Sequence, residues 1–160
     1  MWSENNFKNT EWDRNRGKNN GFKNCISCAT QVNEYPWMAS VGTGDEYHHC
    51  GGTLIASQWI LSAAHCFFSE YEGTLPAENF KVILGEHDRG SDSESRIPRK
   101  VLEVSKIINH ASFVASTVDY DISLLKLSEE VDLNIYTPAC LPETTDNFEG
   151  KKAWAYGNHS

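Results

Sequence analysis

Cys50-Gly51-Gly52-Thr53-Leu54-Ile55-Ala56-Ser57-Gln58-Trp59-Ile60-Leu61-Ser62-Ala63-Ala64-His65-Cys66 sets two short apolar runs, Thr53–Ile55 and Trp59–Ala63, either side of a small polar break. It ends in a histidine beside a cysteine. Neither run is long enough for a helix, and Ala63-Ala64-His65-Cys66 makes a single helical turn at most. Outward from this segment the same texture continues. Further short runs lie at Trp37–Val41, Phe80–Leu84, Val101–Ile108, Ile122–Leu127 and Ala153–Tyr156, rich in β-branched and aromatic residues. Clusters of Gly, Asp, Asn, Ser and Pro separate them, which is the signature of an all-β sandwich or barrel. The charged stretch Gly85–Arg99 predicts a solvated hairpin connection.

Residues 1–24 differ in character. Asn, Lys, Glu, Asp, Arg and Gly dominate, with only Trp2, Phe7, Trp12 and Phe22 to bury, so this part reads as a flexible tail. Over the whole chain of 160 residues, hydrophobic residues are 39% and aromatic residues 11%, enough for a real core. The net charge of −8, from 22 acidic and 14 basic residues, argues against a nucleic-acid partner, which would require a basic stripe. It also gives no attraction to an anionic membrane, and no apolar run is long enough to span one. Met1-Trp2-Ser3-Glu4-Asn5-Asn6 is not followed by the apolar segment of a signal peptide. A secreted protein would then need its leader upstream of Met1. Five cysteines allow at most two bridges within the chain and leave one thiol over.

A lone histidine is ordinarily structural. The segment Cys50–Cys66, however, resembles almost residue for residue the stretch around the catalytic histidine of trypsin- and chymotrypsin-like serine proteases. The resemblance implies that Cys50 and Cys66 form a disulfide and that His65 is the catalytic base. A second match, Asp121-Ile122-Ser123-Leu124-Leu125-Lys126-Leu127, is similar to the family's Asp-Ile-x-Leu-Leu-Lys/Arg-Leu pattern. It implies that Asp121, and not Asp119, is the carboxylate that orients the histidine and stabilises its protonated form.

Weaker matches extend the resemblance from about Asn24 to Ser160. They include Glu34–Val41, Leu84–Asp88, Pro138-Ala139-Cys140-Leu141-Pro142 and Ala155-Tyr156-Gly157. The implied fold is an antiparallel six-stranded Greek-key barrel. Residues 25–160 would be the first of the two barrels of a trypsin-like domain, with residues 1–24 a pro-segment remnant. Cys140 matches a position that bridges to the pro-segment, so Cys25 or Cys28 is its expected partner. The implied substrate is a protein or peptide, and the implied location is extracellular. A sequon, Asn158-His159-Ser160, permits glycosylation there.

The sequence departs from the family in two places. No Gly-Asp-Ser-Gly-Gly and no other Gly-x-Ser-x-Gly segment occurs, so the nucleophile and specificity pocket are expected in a missing C-terminal barrel. On this reading the chain is a fragment and cleaves nothing alone, because the triad acts as a unit. Counting back from Glu34-Tyr35-Pro36-Trp37 puts activation after Lys23, where Asn24-Cys25-Ile26-Ser27 lacks the apolar start of an activated protease. That favours an alternative, a catalytically inactive homologue acting as a binding or regulatory module. An isolated first barrel would also expose an apolar patch where its partner belongs. No cofactor is expected. His48, His49, Cys50, His65 and Cys66 offer zinc-type ligands, but their spacing fits no zinc module. Glu86 and Asp88 could begin a calcium loop, but Ser93 and Arg96 are poor oxygen ligands. No metal site is expected.

Overall fold

Short runs of β-branched and aromatic side chains favour pleated, half-buried backbone, and each such run in the described region becomes a strand. The computed structural model describes residues 35–44, 47–86 and 97–152. Its strands in chain order are β1 (Met38–Thr43), β2 (Tyr47–Ala56), β3 (Trp59–Ser62), β4 (Phe68–Ser69), β5 (Gly73–Thr74), β6 (Lys81–Leu84), β7 (Lys100–Asn109) and β8 (Ser123–Leu127). The helical content among the described residues is two short 3-10 turns, Ala64–Phe67 and Ala77–Asn79. The tail at 1–24, Cys25, Cys28, the activation junction, most of the Glu86–Arg96 loop, the run Ala153–Tyr156 and the sequon lie outside the described residues.

Six strands close into an antiparallel barrel in the order β1-β2-β3-β8-β7-β6, with β6 returning to pair with β1. Neighbours in sequence form hairpins, and the segment from β3 to β6 crosses from one side of the sheet to the other. This is the Greek-key barrel that the sequence predicts. The short hairpin β4–β5, Phe68↔Thr74 and Ser69↔Gly73, stands apart from it within that crossing segment. Nothing in the hydrophobic pattern signals the hairpin, because four paired residues are too few to show an alternation.

The barrel is filled by Val41, Leu54, Ile60, Phe67, Phe80, Val82, Leu84, Leu102, Leu125 and Leu127, all fully buried. Each such side chain contributes about 1.5–3 kcal/mol relative to exposure. Closure needs bending, and ladder irregularities fall between Val41 and Gly42, between Leu54 and Ala56, and between Val104 and Lys106. An extra residue in one strand bends it and increases its twist. At the last of these the Ser105 hydroxyl donates to the carbonyls of Lys126 and Leu127 at 3.0 and 3.1 Å, holding the bulge. Gly52 lets β2 pass close to β3, since a Cβ there would lie 2.6 Å from Ile60 Cγ2.

Two features of this barrel position the chemistry. The β3–β8 ladder runs Trp59↔Lys126, Ile60↔Leu125, Leu61↔Leu124 and Ser62↔Ser123. The chain therefore leaves β3 at Ser62 beside the point where it enters β8 at Ser123. His65 lies three residues beyond the first and Asp121 two residues before the second.

Candidate active site

The Ala64–Phe67 turn follows β3 directly. Ala64, Cys66 and Phe67 are buried, while His65 is turned outward. Three small or apolar neighbours thus pin the turn to the barrel and leave the imidazole at the surface. The disulfide Cys50–Cys66 ties the turn to β2 across a Cα–Cα distance of 6.3 Å. Closing a loop of this size stabilises by roughly 3 kcal/mol.

Asp121 holds the turn from the other side. One carboxylate oxygen accepts the His65 amide N–H at 2.8 Å, and the other meets His65 Nδ1 at 2.7 Å. A carboxylate only accepts, so Nδ1 carries the proton and Nε2 of the neutral ring keeps its lone pair. The His65 side chain is 57% exposed and that of Asp121 21%, so the imidazole both shields the carboxylate and faces solvent. Burial pushes the Asp121 carboxyl upward. Hydrogen bonds from the His65 ring, the His65 amide and the Ala64 amide, together with the charge of His65, outweigh it and hold the group below its ordinary value. Nε2 lies 3.5 Å from Cys66 Sγ, a disulfide sulfur with no proton to give, so no donor among the described residues engages its lone pair.

Asp119 is occupied elsewhere. Its carboxylate accepts from the Thr117 hydroxyl at 2.7 Å and its carbonyl from the Val114 amide at 3.0 Å. The backbone on either side is left-handed, with φ of 61° at Val118 and 54° at Tyr120. A β-branched residue at such an angle is an outlier that persists only where its surroundings impose it. Here the Val118 amide bonds to the Val114 carbonyl, the His110 amide bonds to the Ile122 carbonyl, and the His110 and Tyr120 rings stack 5.0 Å apart. The loop that delivers Asp121 is thereby fixed. It also leaves the side chains of Val114, Val118, Tyr120 and Ile122 exposed.

The zinc-type ligands do not make a metal centre in this state. Cys50 Sγ, Cys66 Sγ and one His65 nitrogen lie within 4.8 Å of one another. The two sulfurs are bonded to each other, however, and a disulfide offers no thiolate. The Cys140 side chain is exposed, and its expected partners lie outside the described residues. By residue type and position His49 reads only as a zinc ligand. Its Nε2 instead meets the Cys66 carbonyl at 2.9 Å. The signal was its place beside Cys50, whose bridge brings the neighbouring residue against the His65 turn.

An imidazole thus sits hydrogen-bonded to a half-buried carboxylate, on a turn clamped by a disulfide to a closed β-barrel. The family model described as Trypsin matches residues 28–159. The chain belongs to the trypsin family. Chicken (Gallus gallus) Trypsin I-P1 is 39% identical over 110 residues, which take in 69% of this chain and 38% of that protein. Rat (Rattus norvegicus) Cationic trypsin-3 is 38% identical over 104 residues, 65% of this chain and 36% of that protein. Rat Transmembrane protease serine 9 is 35% identical over 129 residues, 77% of this chain and 11% of that protein. The chain thus spans well under half the length of these trypsin-family relatives. Among its described residues, no helix is long and apolar enough to cross a membrane.

Proposed function

We propose that this trypsin-family chain belongs to a serine-type endopeptidase that cleaves peptide bonds by acyl transfer. The observation that carries the reading is the paired hydrogen bond between His65 and Asp121, which leaves Nε2 free to accept a proton. The nucleophile would be a serine hydroxyl outside these 160 residues, in a second barrel that also supplies the oxyanion donors and specificity pocket. As that hydroxyl attacks the scissile carbonyl, His65 Nε2 takes its proton, and Asp121 stabilises the imidazolium. His65 then gives the proton to the leaving amine, releasing it and leaving an acyl-enzyme. Water, deprotonated in turn by His65, hydrolyses the ester and regenerates the serine. Neither metal nor redox cofactor enters these steps. Membership of the trypsin family supports protein or peptide substrates, and the resemblance to that family implies an extracellular site of action.

A second reading is a catalytically silent homologue that works by binding. The Asn24-Cys25-Ile26-Ser27 sequence at the aligned activation junction favours it, since its Asn-Cys start lacks the apolar side chains that would bury on activation. The full-length product of the transcript separates the two. Turnover of a peptide amide together with stoichiometric labelling by a fluorophosphonate, both lost in His65→Ala, is expected of the peptidase. Absence of turnover and of labelling in the parent would rule the peptidase out and leave the binding module.

A further inference from the structure

A short turn that carries a catalytic side chain has exposed ends. Its first amides and last carbonyls find no partner within the turn and must be satisfied from outside. At the leading end of Ala64–Phe67 the Asp121 carboxylate accepts the His65 amide. At the trailing end the Phe67 carbonyl accepts from the Leu75 amide at 2.9 Å, a backbone contact supplied by the crossing segment. The Cys66 carbonyl is met by a side chain, His49 Nε2, at 2.9 Å. A carbonyl only accepts, so this contact fixes His49 with its proton on Nε2. The ring also lies against Phe80, centroids 5.9 Å apart, and Phe80 in turn packs edge-on against Phe67 at 5.1 Å.

The neighbouring disulfide does not make this contact redundant. The Cys50–Cys66 bridge sets the separation of two backbones, but its own single bonds leave the plane of the Cys66–Phe67 peptide free to tilt. The hydrogen bond to the Cys66 carbonyl sets that tilt. Tilting that peptide, one residue beyond His65, shifts the backbone from which the imidazole hangs, and with it the angle at which Nδ1 meets Asp121. We propose that His49 is a positioning residue for His65, fixing the trailing end of its turn as Asp121 fixes the leading end. The inference rests on the proposed peptidase reading only for its kinetic consequence. The geometric consequence is independent of it.

The test uses full-length protein carrying His49→Phe, which keeps a ring against Phe80 and removes the donor, or His49→Gln, which keeps a donor and removes the ring. Misalignment at a reacting group lowers the chemical step, so His49→Phe is expected to reduce kcat about tenfold or more while KM stays within about twofold. The low-field proton resonance of His65 Nδ1, observed with ring-labelled 15N-histidine, should broaden in His49→Phe through faster exchange with solvent. His49→Gln should restore both readouts. Parent-like kcat and an unchanged resonance in His49→Phe would overturn the proposal, as would equal impairment of both variants. Should His49→Phe fail to fold, His49→Gln and His49→Met, alike in lacking the ring and different in the donor, decide the same point. A parent with no turnover would refute the peptidase reading, and the resonance alone would then decide the role of His49.

Discussion

Ser62 of β3 and Ser123 of β8 face each other in the last rung of their shared ladder, and that rung brings together a histidine and an aspartate 56 positions apart. Ser123 is fully buried, with its hydroxyl donating to the Ile108 carbonyl of β7 at 3.4 Å. Ser62 donates to the Gly51 carbonyl of β2 at 2.8 Å. Four barrel strands thus meet where the candidate site begins. The geometry of His65 and Asp121 is a consequence of barrel register and not of any local motif.

Replacing the carboxylate tests this coupling in two ways. In the full-length protein Asp121→Asn should lower kcat by about four orders of magnitude, because the wrong ring tautomer is then favoured. Stability gives a second reading. The folded carboxyl sits below its ordinary value of 3.8. Its stabilisation is therefore complete above that value and is lost as pH falls through the lowered folded value. Melting temperatures of parent and Asp121→Asn should differ at neutral pH and converge in acid. A gap that persists unchanged into strong acid would disprove the linkage.

Opening the Cys50–Cys66 bridge should cost roughly 3 kcal/mol in the Cys50→Ser, Cys66→Ser pair. Denaturant titration measures it directly. Since the bridge seats the turn, the same pair should also weaken the His65 Nδ1 resonance. Loss of stability with that resonance intact would confine the bridge to a purely global role.

Gly52 is required by a close approach and not by its backbone angle. Gly52→Ala would drive a Cβ to 2.6 Å from the fully buried Ile60 side chain. Overpacking of this kind costs about 1–3 kcal/mol. Gly51, next to it in sequence, has open space at its Cβ position, and Gly51→Ala should be far milder. Equal effects in the two variants would refute the steric account.

Val118 is the strained counterpart. A β-branched residue at a φ of 61° is held there by its loop, and Asn adopts that region more readily. Val118→Asn should therefore stabilise the protein by about 1 kcal/mol, read as a rise in melting temperature. A clear fall would mean that the exposed Val118 side chain makes a contact worth more than the strain.

The strands of the barrel are legible in the sequence because burial against one core imposes a local pattern. Runs such as Lys81–Leu84 and Ser123–Leu127 carry their burial in their own composition, and Cys50–Cys66 and Asp121–Leu127 identify the family residue by residue. The β4–β5 hairpin and the role of His49 are not legible in this way. A four-residue ladder leaves no periodicity, and a side chain that serves a carbonyl 17 positions away leaves no pattern of its own beyond its place beside Cys50. The site is a different case: the resemblance named His65 and Asp121, and what the sequence left out is how they come to meet. The sequence by itself determined which residue types were present and which segments would become strands, since both depend on short-range composition. Only the tertiary structure decided that Ser62 would stand opposite Ser123, that Asp121 would meet both donors of His65, and that Asp119 would be consumed by its own loop. Each of these depends on strand register and loop geometry, which are settled by packing across the whole barrel.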